Sequence, residues 1–151
     1  MSTSLKSSRP PEEFTAVATW VLDTPGELTT LRASLYKALT GNALPPGGGL
    51  GRVPEKIVLV ASELATNALR HGVPPTIVQL LSNGEEFLLD VADHDTTAAP
   101  HIAGVREPGA GGFGLYLAQT LSLDVGWYTS ETTKHVWARF STTGADAPTG
   151  T

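Results

Sequence analysis

A chain of 151 residues with 40% hydrophobic content can bury one good core, and its length argues for a single domain between frayed ends. Fifteen acidic against ten basic residues give a net charge of −5, and the Lys and Arg are scattered, so no basic stripe exists to collect a nucleic-acid backbone. The absence of cysteine excludes a disulfide framework and thiolate chemistry, and no apolar run is long enough for a secretory signal or a bilayer span, so a cytoplasmic protein that avoids nucleic acid and membrane is expected.

Residues 1–12, Ser-rich and then Pro10-Pro11, and residues 142–151 lack apolar periodicity and are expected to be disordered tails around one folded unit, 13–141. Phe14 to Leu22, rich in Val, Ala and Thr with Trp20, predicts a first strand. Leu28, Leu31, Leu35 and Leu39, entered through Thr24 and Pro25, predict a first helix. A long loop, Gly41 to Pro54, contains Pro45-Pro46-Gly47-Gly48-Gly49. In the second helix Ile57, Val60, Ala61, Leu64, Ala65 and Ala68 recur at three- and four-residue spacing, a buried stripe opened by Pro54 and closed by Gly72. Thr76 to Leu81 and Phe87 to Ala92 predict an antiparallel hairpin turned by Asn83-Gly84. Asp93 to Gly111 runs without periodicity and is too long for an inert turn. Phe113 to Leu121 predicts a third helix, and Asp124 to Thr129 with Lys134 to Phe140 a closing hairpin. Hairpins mixed with helices favour an α+β two-layer sandwich, with helices on one face of a mixed, largely antiparallel sheet.

The second helix carries chemistry on its edge. Glu63, Asn67 and His71 are four residues apart, so successive Cβ atoms lie roughly 5–6 Å from each other and can act on one bound group. A polar edge bonding to loop backbone is the alternative for Glu63 and Asn67, and a helix-terminal cation is the alternative for His71. Asp93 ends an apolar run, where Asp is also a common turn former. Asp93, His94, Asp95 and His101 form no convincing metal-ligand pattern. Gly109-Ala-Gly111-Gly112-Phe113-Gly114 satisfies the G-x-G-x-x-G string, but Arg106-Glu107-Pro108 precede it where a dinucleotide fingerprint needs a strand. What survives is a glycine-led helix start, whose free N–H groups attract phosphate.

Taken in order, Glu63-x-x-x-Asn67 on a helix, Asp93 after a strand, and Gly112-Phe113-Gly114-Leu115 opening a helix resemble the N, G1 and G2 boxes of the Bergerat-fold ATPases. The likeness is closest to the small bacterial anti-sigma-factor serine kinases and related stand-alone ATP-binding regulators, whose SE-x-x-TNA-x-x-H helix is matched by Ser62 to His71. It covers about residues 14–140. The resemblance implies the Bergerat ATP-binding fold and the cofactors ATP and Mg²⁺. Asn67 would then ligate the metal, Glu63 would be the general base, and Asp93 would accept a hydrogen bond from the adenine amino group. Gly112 and Gly114 would present backbone N–H groups to the phosphates, Gly111, Phe113, Leu115, His71 and Thr133 would contact nucleotide, and the loop His94 to Gly111 would be a lid. This sequence departs at the D-x-G-x-G pattern, where Asp95 and Thr97 stand in the glycine positions. Two functions follow: a serine/threonine protein kinase that phosphorylates a small anti-anti-sigma-like antagonist, or an ATP-binding switch that sequesters a sigma factor without catalysis. Dimerisation, common in the family, is a further implication.

Overall fold

A computed structural model describes residues 7, 8, 10, 13–40, 53–97 and 118–141. Within them β1 (Thr15–Leu22) leads through a 3-10 turn at Pro25–Glu27 into α1 (Leu28–Thr40), and α2 (Val53–His71) precedes the hairpin β2 (Thr76–Ser82) and β3 (Glu86–Asp93). A second hairpin, β4 (Asp124–Thr129) and β5 (Lys134–Ser141), completes the sheet. The strand order is β1-β2-β3-β5-β4, and each neighbouring pair is antiparallel. Both helices pack on one face, so the expected α+β architecture is observed.

The apolar stripe accounts for this packing. Ile57, Val60, Ala61, Leu64 and Ala65 of α2 are buried against Val78 and Leu80 of β2, Leu89 and Val91 of β3, and Val136 and Ala138 of β5. Leu28, Leu31 and Leu35 of α1 close the layer beside Trp20, whose indole N–H donates to the Ser34 hydroxyl at 2.9 Å. The two helices are also joined by Arg32, which donates to the buried Ser62 hydroxyl at 3.0 Å.

The first hairpin turn differs by one position from its sequence expectation. Asn83 pairs with Glu86 through its N–H, so Gly84-Glu85 form the turn, with Gly84 at φ +93°. The Asn83 side-chain oxygen accepts the Glu85 and Glu86 N–H groups at 2.9 and 2.8 Å, an Asx turn that keeps Asn on the strand side of the glycine. Ser7 and Ser8, inside the stretch expected as a tail, lie beside β4: the Ser8 N–H donates to the Trp127 carbonyl at 2.9 Å, and the Ser8 carbonyl accepts the Trp137 indole N–H at 2.7 Å. Of the predicted third helix, residues 118–121 are described and helical. No helix among the described residues is long and apolar enough to cross a membrane.

Candidate functional site

The site forms where the C-terminal end of α2 meets the end of β3. Side-chain alternation puts Phe87, Leu89, Val91 and Asp93 on the helix-facing side of β3, so the apolar register that builds the core also delivers Asp93 to α2. Asp93 is 4% exposed. Gly72 is pressed against it so closely that a Cβ added there would lie 2.5 Å from the carboxyl carbon. The approach is held by backbone: the Gly72 N–H donates to the Ala68 carbonyl at 2.8 Å, and the His94 N–H donates to the Val73 carbonyl at 2.9 Å. His94 Nδ1 sits 3.3 Å from the Pro75 carbonyl and fastens the same corner.

Along α2, Glu63 and Asn67 are half-buried and His71 is exposed. The Asn67 carboxamide oxygen is buried and has no hydrogen-bond partner among the described residues, as is true of the Thr76 hydroxyl. An unpaired buried carboxamide oxygen costs about 1–3 kcal/mol in desolvation and is the donor type that hard cations take. The structure thus places Asn67 on the helix that abuts Asp93.

Among the described residues, three groups meet the Asp93 carboxylate. Its Oδ1 accepts the Asp95 N–H at 2.7 Å, its Oδ2 lies 3.9 Å from Lys134 Nζ, and Gly72 covers its flank. Asp95 repeats the device one step on, accepting the Thr97 N–H at 3.0 Å and the Thr97 hydroxyl at 2.6 Å. The Thr97 hydroxyl, then the Thr97 N–H, hold the Asp95 carboxyl below its ordinary value, and the Lys134 charge helps slightly. Side-chain hydrogen bonds therefore close the turns at the two positions where the expected pattern has glycines.

Thr133 is placed elsewhere. Lys134 pairs with Asp93 across the β3–β5 ladder, so Thr133 and His135 both face away from the helices. On that far side the buried Asp90 carboxylate lies 2.8 Å from His135 Nδ1, and His135 Nε2 lies 2.8 Å from the Thr133 hydroxyl. Tyr128 stacks on the His135 ring with centroids 4.5 Å apart and reaches Asp90 at 3.4 Å. Asp90 and His135 were not singled out from sequence; their alternation on facing strands is the one available signal, and it needs the register. Gly111, Gly112, Phe113, Gly114, Leu115 and His101 lie outside the described residues.

The chain also matches a known protein family. A family model for the histidine kinase-like ATPase domain matches residues 23–140, a span that runs from the turn before α1 almost to the end of β5 and includes Glu63, Asn67, Asp93 and the glycine run. No curated protein matches the chain.

Proposed function

Because the chain belongs to the histidine kinase-like ATPase domain family, we propose that it is an ATP-binding regulator acting as a serine/threonine protein kinase of the anti-sigma-factor type, with a small antagonist protein as substrate. The observation that carries this reading is the buried, unpaired Asn67 oxygen on the helix whose end is fitted against Asp93. The donor set fits Mg²⁺, which takes oxygen ligands, keeps several waters and is bound through one or two protein groups plus substrate phosphates. When bound, the ion neutralises charge on the transferring phosphoryl group.

The chain's own residues then have separate tasks. Asn67 holds the ion through its carboxamide oxygen. Asp93, kept ready by the Asp95 N–H, accepts from the adenine amino group. Gly112 and Gly114 offer backbone N–H groups to phosphate, and His71 and Leu115 border the nucleotide. Glu63, one turn before Asn67, takes the proton from the attacking Ser or Thr hydroxyl as its oxygen bonds to the γ-phosphorus and the bond to the ADP oxygen breaks. Without that base the hydroxyl must lose its proton to water, and general-base catalysis typically contributes 10²- to 10⁴-fold.

A second reading, the non-catalytic switch, is favoured by the closed Asp95–Thr97 turn in place of glycines. One assay separates the two. Glu63→Ala is expected to retain Mg·ATP binding by calorimetry while transfer of label from γ-labelled ATP to a captured partner protein falls by roughly 100-fold or more. Transfer at the wild-type rate removes Glu63 from the chemistry. Absence of calorimetric binding at millimolar Mg·ATP in the wild type removes both readings.

A further inference from the structure

The sheet face opposite the two helices holds a cluster of polar side chains remote from Asn67 and Asp93, and four of them touch in series. Asp90 Oδ1 lies 2.8 Å from His135 Nδ1, His135 Nε2 lies 2.8 Å from the Thr133 hydroxyl, and that hydroxyl lies 2.5 Å from the Ser130 hydroxyl. The carboxylate fixes every proton in this line. It can only accept, so His135 carries its hydrogen on Nδ1 and presents a bare Nε2. Thr133 must then donate to Nε2 and accept from Ser130. The line runs inward from an exposed serine, through two half-buried side chains, to a buried acid. Satisfying that acid needs only the inner half. Its oxygens are already met by His135 and by the Tyr128 hydroxyl at 3.4 Å, and Tyr128 also stacks on the imidazole with the ring planes 4° apart. The β4–β5 turn is likewise closed by backbone, the Ser130 N–H donating to the Thr133 carbonyl at 2.8 Å. The contact between the two outer hydroxyls is thus surplus to both structural tasks.

We propose that Ser130 is a nucleophile for acyl transfer from activated esters, with Thr133 as the bridge to a His135–Asp90 base, at a site that makes no use of the nucleotide. A base within hydrogen-bond reach of a hydroxyl, and itself oriented by a third group, is the arrangement that activates serine. In the step, Ser130 Oγ bonds to the ester carbonyl carbon while its proton passes to Thr133 Oγ1, whose own proton passes to His135 Nε2. Asp90 stabilises the imidazolium that forms. The imidazolium returns its proton to the departing alcohol oxygen as the carbon–oxygen bond breaks, which leaves an acyl ester on Ser130 for water to hydrolyse by the same relay. Because Ser130 is exposed at a hairpin turn, the ester reaches it without a pocket, and an electrophilic aryl ester is the substrate class that suits it.

The test treats the full chain with an alkyl fluorophosphonate, which forms a stable phosphonyl ester on an activated hydroxyl as fluoride leaves, and locates the label by peptide mass spectrometry. Hydrolysis of p-nitrophenyl acetate is followed alongside. The label is expected on Ser130, at a rate that falls roughly 100-fold or more in His135→Gln, which removes the base, and in Thr133→Val, which removes the bridge. Thr133→Val keeps the contact between Asp90 and His135 and suits a strand end equally well, so it tests the relay even where His135→Gln fails to fold. The part of p-nitrophenolate release that is lost in Ser130→Ala is expected to be lost in Thr133→Val as well. A chain that takes no label, a label on another residue, or a Ser130 label whose rate is unchanged in Thr133→Val overturns the proposal. Each of those results leaves the nucleotide reading intact, since the calorimetry with Mg·ATP is a separate measurement.

Discussion

Gly72→Ala adds one methyl group at the tightest point of the site. The new Cβ would stand 2.5 Å from both the Asp93 carboxyl carbon and its Oδ2, and 2.7 Å from the Ala68 carbonyl. Ordinary contact begins near 3.4 Å, so something must shift by about 1 Å. Ala68 cannot yield cheaply, because its carbonyl accepts the Gly72 N–H. The Asp93 carboxyl cannot either, because its Oδ1 accepts the Asp95 N–H at 2.7 Å. Overpacking of this kind costs about 1–3 kcal/mol, which denaturant midpoints at constant m-value will read. Displacing the carboxylate also removes a hydrogen bond to a charged group, worth about 1.5–3 kcal/mol, so Kd for Mg·ATP should rise roughly 10- to 150-fold. Gly84→Ala is the control with the opposite pattern. A Cβ there meets nothing within 4 Å, but φ is +93°, so it should lose about 1–2 kcal/mol of stability with Kd unchanged. If Gly72→Ala keeps both the wild-type midpoint and the wild-type Kd, α2 does not abut Asp93 and the site is built incorrectly.

Two further outcomes test the parts around that corner. His135→Leu leaves the Asp90 carboxylate, 7% exposed, with the Tyr128 hydroxyl at 3.4 Å as its remaining side-chain partner among the described residues; a stability loss of about 1–3 kcal/mol is expected with Mg·ATP affinity unchanged, and an unaltered denaturant midpoint would show that the bond does not matter. Glu27 accepts the Asp23 and Thr24 N–H groups, which hold its carboxyl below the ordinary value of 4.5. Since the folded value is the lower one, its contribution is present above the unfolded value and is lost as pH falls through the folded one. The gap in stability between wild type and Glu27→Ala should therefore be open at neutral pH and shrink in acid; a gap that is constant with pH contradicts this capping role.

Local patterns were legible where one element contains the whole signal. Five of the six residues assigned to the α2 stripe, Ile57, Val60, Ala61, Leu64 and Ala65, are buried, because a helix periodicity needs no knowledge of the partner. Glu63, Asn67 and His71 share one helix edge for the same reason. Relations across strands were harder. Asn83-Gly84 correctly marked a turn, yet the Asn side chain moved the turn residues on to Gly84-Glu85 by taking the Glu85 and Glu86 N–H groups itself. In β5 the consequence of one position is larger: Thr133 and Lys134 are adjacent in sequence but project to opposite faces, and the β3–β5 register gives Asp93 the lysine.

Thr76 and Asp95 show why composition alone understates a site. A threonine opening an apolar run reads as a strand former; that its hydroxyl is buried opposite Asp93, without a partner among the described residues, emerges only from burial and register together. Asp95 and Thr97 read from sequence as departures from a glycine pattern. Glycine serves a tight turn through conformational freedom, but a turn can also be closed by side chains that bond to backbone N–H groups two residues on. Asp93 to Asp95 and Asp95 to Thr97 form two such links in series. The carboxylate proposed to read adenine is therefore itself the first clasp of the chain that leaves β3, so replacing Asp93 would remove the ligand contact and loosen the turn together. Asp93→Asn separates these roles, since its side-chain oxygen can still accept the Asp95 N–H while the negative charge is gone.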